Sequence, residues 1–244
     1  MNEAAECIDG AAGGALLLCD HASNHVPADV DLGIDPALLD LHIAYDIGAG
    51  ALTRTLAASM GWPAVLGTVS RLVIDLHREP DRLGLIPIAS DGHEVPGNRD
   101  ADAAQRIARF HRPYHRAVAS AVRQYRPDLI VAIHSFTPEL ETAPVYRPWT
   151  IGVLYNRDRW TGAAALAALT AQGLSPGDNQ PYSGRDLNTT INRHAEAAGI
   201  AGIAIEVRND QLLTPAGIDA WAGHLGEMIA TLRNRVASGG HLTT

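Results

Sequence analysis

Three apolar segments, each as long as a β-strand, end in side chains that can carry chemistry. Residues 129–133 are followed by His134, and two similar segments are followed by His21 and Glu206. Continuous apolar segments of this length are typical of strands that are buried on both faces of a sheet. Catalytic groups in open α/β sheets gather where strands end at their carboxyl edge. The pattern therefore predicts an α/β sheet with a polar site at one edge.

Helical patterns alternate with the apolar strands along the chain. The predicted strands are 15–20, 64–69, 71–76, 129–133, 151–154 and 202–207. The predicted helices are 47–60, 100–125 with a kink at Pro113, 161–172, 186–198 and 214–236. We expect one domain over residues 1–244, with 1–13 as a flexible tail. Its predicted architecture is three-layer αβα, with a mixed and largely parallel central sheet.

Composition excludes several classes of function. The 244 residues carry a formal net charge of -8 and include no lysine. Without lysine the chain cannot form a Schiff base or build the lysine-containing phosphate loop. No basic patch with interleaved aromatic residues is present, so nucleic acid is not an expected partner. Arginine must supply the bidentate contacts to carboxylates.

The two cysteines and the N-terminal segment indicate the compartment. Cys7 lies in the expected tail and Cys19 in a predicted strand, which favours reduced thiols over a disulfide. The first residues carry Glu3, Glu6 and Asp9, the wrong charge for a signal peptide. No apolar segment approaches the ~18 residues of a membrane span. We expect a cytoplasmic protein without a membrane partner.

The histidines at the strand ends suit a metal site. A catalytic zinc commonly takes three protein ligands and leaves one position for water. His21 and His134 are the first two predicted ligands, and His134 as an ordinary core histidine is the alternative. Asp46 is preferred as the third ligand, although aspartate at this place can simply cap a helix. Asn24 is the other candidate for the third position, and otherwise a substrate-binding group.

Glu206 interrupts an apolar strand. A buried carboxylate is costly unless it is paired or used in chemistry. Arg208, two residues further on, faces the same side of a strand, and a Glu206–Arg208 salt bridge is the structural alternative. The functional interpretation makes Glu206 the base that removes a proton from a water molecule activated by the metal.

Six segments, in order and spread over nearly the whole chain, resemble the N-formylglutamate amidohydrolase family. They are CDHASN at 19–24, YDIGA at 45–49, SRLVIDL at 70–76, IHSF at 133–136, NQPY at 179–182 and IEVR at 205–208. The resemblance implies a phosphorylase/hydrolase-like fold of the zinc exopeptidase type, similar to zinc carboxypeptidases and succinylglutamate desuccinylases. It also implies a divalent metal, most simply Zn²⁺.

The same resemblance suggests roles for individual residues. His134 and Glu206 resemble the second histidine ligand and the catalytic glutamate of the carboxypeptidases. Their first ligand pair is HxxE, whereas the fourth position in this sequence is Asn24. The missing carboxylate is the reason for assigning the third ligand to Asp46.

Several residues are expected to bind the substrate. Arg71 and Arg78 form a possible fork for a dicarboxylic amino acid, with ion pairs to nearby carboxylates as the alternative. The resemblance favours substrate binding, but His77 stands where the family commonly has Asn in Leu-Asn-Arg. The further predicted substrate contacts are Asn24, Asn179, Tyr182 and Arg208. For Asn179, a purely structural role in a turn is the alternative.

The sequence therefore predicts a metal-dependent amidohydrolase. Its expected reaction converts N-formyl-L-glutamate and water to formate and L-glutamate. A deacylase or carboxypeptidase for another N-acyl amino acid is the alternative within the enzymes. A non-catalytic binder of acidic amino acids is the alternative outside them, and it would need neither Glu206 nor a metal.

Overall fold

The computed structural model describes residues 3–237 of the chain. Nine strands form two sheets within these residues. The strands are β1 Ala5–Ile8, β2 Ala15–Cys19, β3 Ala64–Gly67, β4 Ala89–Ser90, β5 His93–Glu94, β6 Leu129–Phe136, β7 Ile151–Leu154, β8 Gly177–Asp178 and β9 Ala201–Arg208. The large sheet has seven strands in the order β1-β3-β2-β6-β9-β7-β8, and β4 pairs with β5 in the small one.

Four of the six pairings in the large sheet are parallel. They join β2 to β3, β2 to β6, β6 to β9 and β7 to β8. The antiparallel pairings are β1 with β3 and β7 with β9. The predicted mixed, largely parallel sheet is confirmed.

Helices cover both faces of the large sheet. They are α1 Ala49–Met60, α2 Ala103–Arg106, α3 Arg112–Tyr125, α4 Arg159–Ala171, α5 Thr189–His194 and α6 Pro215–Ala237. One core joins α1, α4 and α6 to side chains such as Leu17 and Val131. The other joins α3 and α5 to Leu16 and Ile130 on the opposite face. Neighbouring strand residues point to opposite faces, so the strands are apolar throughout and the fold has three layers.

The predicted flexible tail is wrong for most of its length. Ala5–Ile8 pairs antiparallel with β3, with Cys7 opposite Val65. Ala5 is buried, and Glu6 forms an ion pair with Arg54 of α1. Alternation of buried and exposed residues in a short edge strand is easily mistaken for a polar tail. Residues 1–2 of that tail and 238–244 of the expected domain lie outside the described residues.

The predicted strand 71–76 is also wrong. These residues form consecutive turns, in which the amide of Val73 bonds to the carbonyl of Ser70. The hydroxyl of Ser70 accepts the amide of Leu72 and stabilises the first turn. Val73, Ile74 and Leu76 are nevertheless fully buried, which explains why the segment has the composition of a strand.

The predicted helices 100–125 and 186–198 are subdivided. A π-helical segment, Ile107–His111, separates α2 from α3, and Pro113 falls in the first turn of α3. The predicted interruption is therefore a change of helix type just before Pro113, and a proline in the first turn of a helix costs few hydrogen bonds. In the second region, α5 is followed by a 3₁₀ turn, Glu196–Ala198.

None of the helices within residues 3–237 combines the length and the apolar character that crossing a bilayer requires.

Candidate active site

A cavity of about 290 Å³ opens where β2, β6 and β9 end. His21 lies two residues after the end of β2, while His134 and Glu206 are each the third residue from the end of their strands, β6 and β9. Their backbones are paired in register, so the two side chains stand on the same face of the sheet. The structure thus brings His21, His134 and Glu206 together with Asp46 on one cavity wall.

Three of these side chains offer donor atoms to a single cation. Oδ2 of Asp46 lies 2.8 Å from Nδ1 of His134 and 3.4 Å from Nδ1 of His21. All three residues are buried, and their donor atoms lie within 4.8 Å of one another. Two imidazole nitrogens and one carboxylate oxygen form a donor set that zinc commonly takes. The residues present therefore fit a divalent metal.

Two further carboxylates lie beside the far nitrogens of the imidazoles, and one of them, Asp75, is hydrogen-bonded. Oδ1 of Asp75 lies 2.8 Å from Nε2 of His21. Oδ2 of Asp20 lies 3.3 Å from Nε2 of His134, off the direction of a hydrogen bond. Carboxylates on the far nitrogen fix the ring and leave the near nitrogen to face the ligand position. Here both Nδ1 atoms are directed towards Asp46.

The charges of this cluster depend on one another. Burial lowers the pKa of His134, but contacts with Asp20 and Asp46 outweigh burial and raise it well above its ordinary value. Burial raises the pKa of Asp46, but His21 and His134 outweigh burial and hold it below its ordinary range. Asp46 is thus an ionised acceptor among cationic or metal-binding partners.

Asp46 does not cap a helix. The residue before α1 is Gly48, with φ of 81°, and no side chain bonds to the first amides of that helix. Instead, Oδ1 of Asp46 accepts a hydrogen bond from Nη1 of Arg71 at 3.2 Å. The carboxylate of Asp46 therefore bonds within the cluster and not to the N-terminus of α1.

Glu206 is buried, and one of its carboxylate oxygens is enclosed without a partner. Its Oε2 has no hydrogen-bond partner within the described chain. Burial raises the pKa of Glu206 to about 7, with the neighbouring Asp46 also raising it and His134 opposing. A carboxyl group whose pKa lies near neutral pH is suited to accept a proton from a reactant and to donate it again.

The alternative of a Glu206–Arg208 salt bridge does not form, and Arg208, which was predicted to contact the substrate, does not line the cavity. Nε of Arg208 donates to Oδ1 of Asp210 at 2.9 Å, and Nη1 donates to the hydroxyl of Tyr146. Arg208 is the last residue of β9, so its long side chain leaves the sheet towards the following turn.

Arg71 and Arg78 line the cavity, and both contact Asp75. The distances to Oδ2 of Asp75 are 3.0 Å from Nη2 of Arg71 and 3.3 Å from Nε of Arg78. About a third of each side chain is nevertheless exposed, 30% and 33% respectively. The ion pairs and the cavity contacts therefore exist together, so the two interpretations of these arginines are compatible.

Tyr182 also lines the cavity, whereas Asn179 and Asn24 do not. The amide oxygen of Asn179 accepts the backbone amides of Tyr155 and Gly184, so its side chain stabilises a turn. Nδ2 of Asn24 donates to the carbonyl of Leu39 at 2.9 Å, away from the metal-binding group. The predicted substrate contacts of these two asparagines are wrong because both amides are used by the backbone.

Sequence reasoning missed Asp20, Asp75 and His77. Nδ1 of His77 lies 2.9 Å from Oδ2 of Asp20, and its ring centre is 4.8 Å from that of His134. The only available signal was position, since Asp20 precedes His21 at a strand end and Asp75 lies in the recognised segment 70–76.

Asp20, His77 and His134 form a second group of possible metal donors. His134 is common to both groups, and its Nδ1 already lies against Asp46. Asp20 also accepts the hydroxyl of Thr190 at 2.9 Å. Asp20 therefore hydrogen-bonds to His77 and Thr190, and it contacts His134 of the first group only as a nearby charge.

Three histidines support the site from behind. Nε2 of His115 lies 3.0 Å from the carbonyl of Leu76, and its Nδ1 lies 2.9 Å from Nε2 of His194. Nε2 of His111 lies 2.9 Å from the carbonyl of Arg78. These bonds hold both ends of the short segment that presents His77. His111 and His115, which are four residues apart, therefore have a packing role.

Comparisons with known proteins were made for the whole chain. A family model described as N-formylglutamate amidohydrolase matches residues 14–213. The crystal structure of a gene product from Agrobacterium tumefaciens is 30% identical, with a TM-score of 0.90 and 96% of each chain covered. No curated protein matches the sequence.

A second solved structure shares the fold at lower identity. It is N-formylglutamate amidohydrolase from Ralstonia eutropha JMP134, which is 17% identical with a TM-score of 0.70. The match covers 97% of this chain and 99% of that one. Because the family model spans most of the sequence, the predicted resemblance is confirmed. The chain belongs to the N-formylglutamate amidohydrolase family.

Proposed function

We propose that this protein hydrolyses N-formyl-L-glutamate to formate and L-glutamate in a metal-dependent reaction. The observation that carries the proposal is the partnerless Oε2 of Glu206 in the same buried cavity wall as three metal-donor side chains. A protein that only bound an acidic amino acid would gain nothing from that carboxylate. Membership of an amidohydrolase family supports the proposal independently.

His21, Asp46 and His134 would hold the metal, which we propose is Zn²⁺. When bound, it would supply a Lewis acid that acidifies water and polarises a carbonyl oxygen. Asp75 would keep the imidazole of His21 oriented through its hydrogen bond, and Asp20 would place a negative charge 3.3 Å from Nε2 of His134.

Glu206 would move the proton in both halves of the reaction. Its Oε2 would accept a proton from the attacking water, and would then deliver it to the nitrogen of the leaving amino acid. The balance between burial and neighbouring charges, which raises its pKa to about 7, suits a group that must both accept and donate. Because β9 holds Glu206 in place, the reaction would not need to pay the entropy of orienting the base.

Arg71 and Arg78 would bind carboxylates of the substrate. Both side chains line the cavity and are partly exposed, while Asp75 accepts one N–H group from each. A further N–H of Arg71 donates to Asp46, and a further N–H of Arg78 donates to the carbonyl of Leu83. An arginine that is fixed on one side presents its remaining donors at a defined angle.

Tyr182 would donate a hydrogen bond to the carbonyl oxygen of the substrate. Nη1 of Arg147 lies 3.2 Å from the hydroxyl oxygen of Tyr182 and can only donate to it. The hydroxyl hydrogen is therefore free to point into the cavity. Burial raises the pKa of Tyr182, which keeps that hydrogen in place at neutral pH.

The proposal is tested by measuring formate release from N-formyl-L-glutamate. We expect activity in the purified protein, its loss after dialysis against a chelator, and its recovery on addition of Zn²⁺. Glu206→Gln keeps the shape of the side chain but cannot accept a proton, and we expect a loss of about 10²–10⁴-fold in kcat.

Glu227→Gln is the matched control, because Glu227 is exposed on α6 and remote from the cavity lining. Its activity should equal that of the unmodified protein. Unchanged formate release in Glu206→Gln, or full activity without metal, contradicts the mechanism. Absence of formate release under every condition contradicts the proposed function itself.

A further inference from the structure

His77 lines the same cavity as the metal-donor group and the two arginines, and its ring lies beside those of His134 and His21. Its side chain is 12% exposed, and it is a lining residue of the cavity. Its ring centre lies 4.8 Å from that of His134 and 6.0 Å from that of His21. Its own backbone amide donates to Oδ1 of Asp75 at 2.9 Å. The ring therefore occupies a fixed position beside the atoms where hydrolysis would take place.

The partners of Nδ1 determine the tautomer of His77. Oδ2 of Asp20 lies 2.9 Å from Nδ1, and Oδ1 of the same carboxylate accepts the hydroxyl hydrogen of Thr190. Carboxylate oxygens act here as hydrogen-bond acceptors. Oγ1 of Thr190 lies 3.2 Å from the same nitrogen, and its hydrogen is already donated to Asp20. Both partners therefore require a hydrogen on Nδ1.

A neutral ring with its hydrogen on Nδ1 has an unprotonated Nε2. No hydrogen bond joins that nitrogen to any residue in the described range 3–237, and it is not a fully enclosed atom. His77 thus presents a hydrogen-bond acceptor to the cavity. The other nitrogen-containing groups there that face a substrate, Arg71 and Arg78, can only donate.

A scissile secondary amide carries one hydrogen-bond donor, its N–H, directly beside the carbonyl carbon. When the carbonyl lies near Glu206 and the metal donors, that N–H falls among the groups next to them. Arginines would repel a donor, whereas an imidazole acceptor would satisfy it. Leaving such a donor unpaired in a closed site costs free energy, so an acceptor selects for it.

We propose that His77 is a specificity-determining residue, whose Nε2 accepts a hydrogen bond from the N–H of the scissile amide and so favours amide substrates over the corresponding esters. The inference rests on the proposed function. Asp20 and Thr190 are the positioning residues, because they hold the ring through Nδ1.

The test compares two substrates that release the same product. N-formyl-L-glutamate carries the N–H, while the formate ester of 2-hydroxyglutarate has an oxygen in its place. Formate release is measured for both compounds at the same pH. His77→Phe keeps a ring and removes the acceptor, and His77→Asn restores an acceptor oxygen without a ring.

For His77→Phe we expect kcat/KM for the amide to fall about tenfold or more, as loss of one hydrogen bond predicts. The ester should change by less than about twofold, because it has no donor to lose. His77→Asn should recover part of the amide activity. His42→Phe, another histidine of the cavity lining, is the matched control and should leave the ratio of amide to ester activity unchanged.

The outcomes separate the inference from the proposed function. Equal losses for amide and ester in His77→Phe would show a structural role and would overturn the inference alone. An unchanged amide activity in that variant would also overturn it. If the unmodified protein releases formate from neither compound, the proposed function fails and the inference falls with it.

Discussion

His21 and Asp75 form a buried imidazole–carboxylate pair, with 2.8 Å between Nε2 and Oδ1. The two residues are 54 positions apart in the chain, and both side chains are at most 5% exposed. Burial raises the pKa of Asp75, but His21 and Arg71 outweigh burial and keep it well below its ordinary value. The contact fixes the direction in which Nδ1 of His21 faces Asp46.

The first prediction concerns this pair. Asp75→Asn should weaken the affinity for Zn²⁺ about 10–100-fold, because a lost carboxylate partner leaves the imidazole less basic and less well oriented. Competition with a chromophoric chelator measures the affinity. Asp81→Asn, at an exposed position in the following turn, is the control. Equal affinity in Asp75→Asn and the unmodified protein would refute the role of the pair.

The second prediction identifies the third metal ligand. Asp46→Ala should lose bound metal, because it removes the carboxylate between the two Nδ1 atoms. Asn24→Ala should keep its metal, because the amide of Asn24 bonds to the carbonyl of Leu39 instead. Metal content after gel filtration, measured by mass spectrometry, decides between them. Retained metal in Asp46→Ala together with loss in Asn24→Ala would reverse the assignment.

The third prediction concerns stability in acid. Burial lowers the pKa of His115 to about 3 and that of His194 to about 4, from an ordinary value of 6.5. The unfolded chain therefore binds these protons at higher pH than the folded protein. Their contribution to stability is complete above pH 6.5 and is lost as pH falls from there towards 4 and 3.

Urea unfolding between about pH 7 and 5 measures this effect, with at most ~1.4 kcal/mol per pH unit from each histidine. His194→Gln retains an amide donor for Nδ1 of His115 but does not titrate, so its stability should depend less steeply on pH. His93→Gln, on the small sheet at the surface, should keep the original slope. A slope that His194→Gln leaves unchanged would argue against the buried pair as its source.

The fourth prediction concerns the loop 137–150 beside the cavity. Asp91, in the left-handed conformation with φ of 42°, accepts the backbone amides of Glu141 and Thr142 and also contacts His42. Asp91→Ala removes these bonds, so the loop should exchange its amide hydrogens faster and be cleaved sooner by protease. Glu139→Ala, at an exposed place in the same loop, should match the unmodified protein. Equal exchange rates in the two variants would disprove the anchoring role of Asp91.

Local pattern was sufficient for much of the fold. The strand Ile151–Leu154 was predicted with the bounds it has, and β2, β6 and β9 differ from prediction by a few residues at their ends. A strand that is buried on both faces of a sheet is apolar along its whole length, so the composition of the segment alone predicts it. The segment 71–76 failed because a buried turn has the same composition as a buried strand.

The candidate site was predictable from the sequence only where a functional side chain lies at the end of a predicted strand. His21, His134 and Glu206 share the cavity because parallel strands end together. Arg208 and Asn24 had equally good positions along the sequence but are engaged by Asp210 and by the backbone of Leu39. The reach and direction of a side chain at the end of an element depend on neighbours that sequence spacing does not reveal.

By itself, the sequence determined the family, the alternation of strands and helices, and the delivery of two histidines and a glutamate to one edge of a sheet. Only the tertiary structure decided that Asp46 lies between the imidazoles and that Asp75 and Asp20 lie near their far nitrogens. It also decided that Nδ1 of His77 bonds to Asp20, which leaves Nε2 for the cavity. The residue pattern that predicts strands and helices is local, so it can be recognised in consecutive residues. Contacts between side chains dozens of residues apart exist only after packing has fixed every element, so no segment contains them alone.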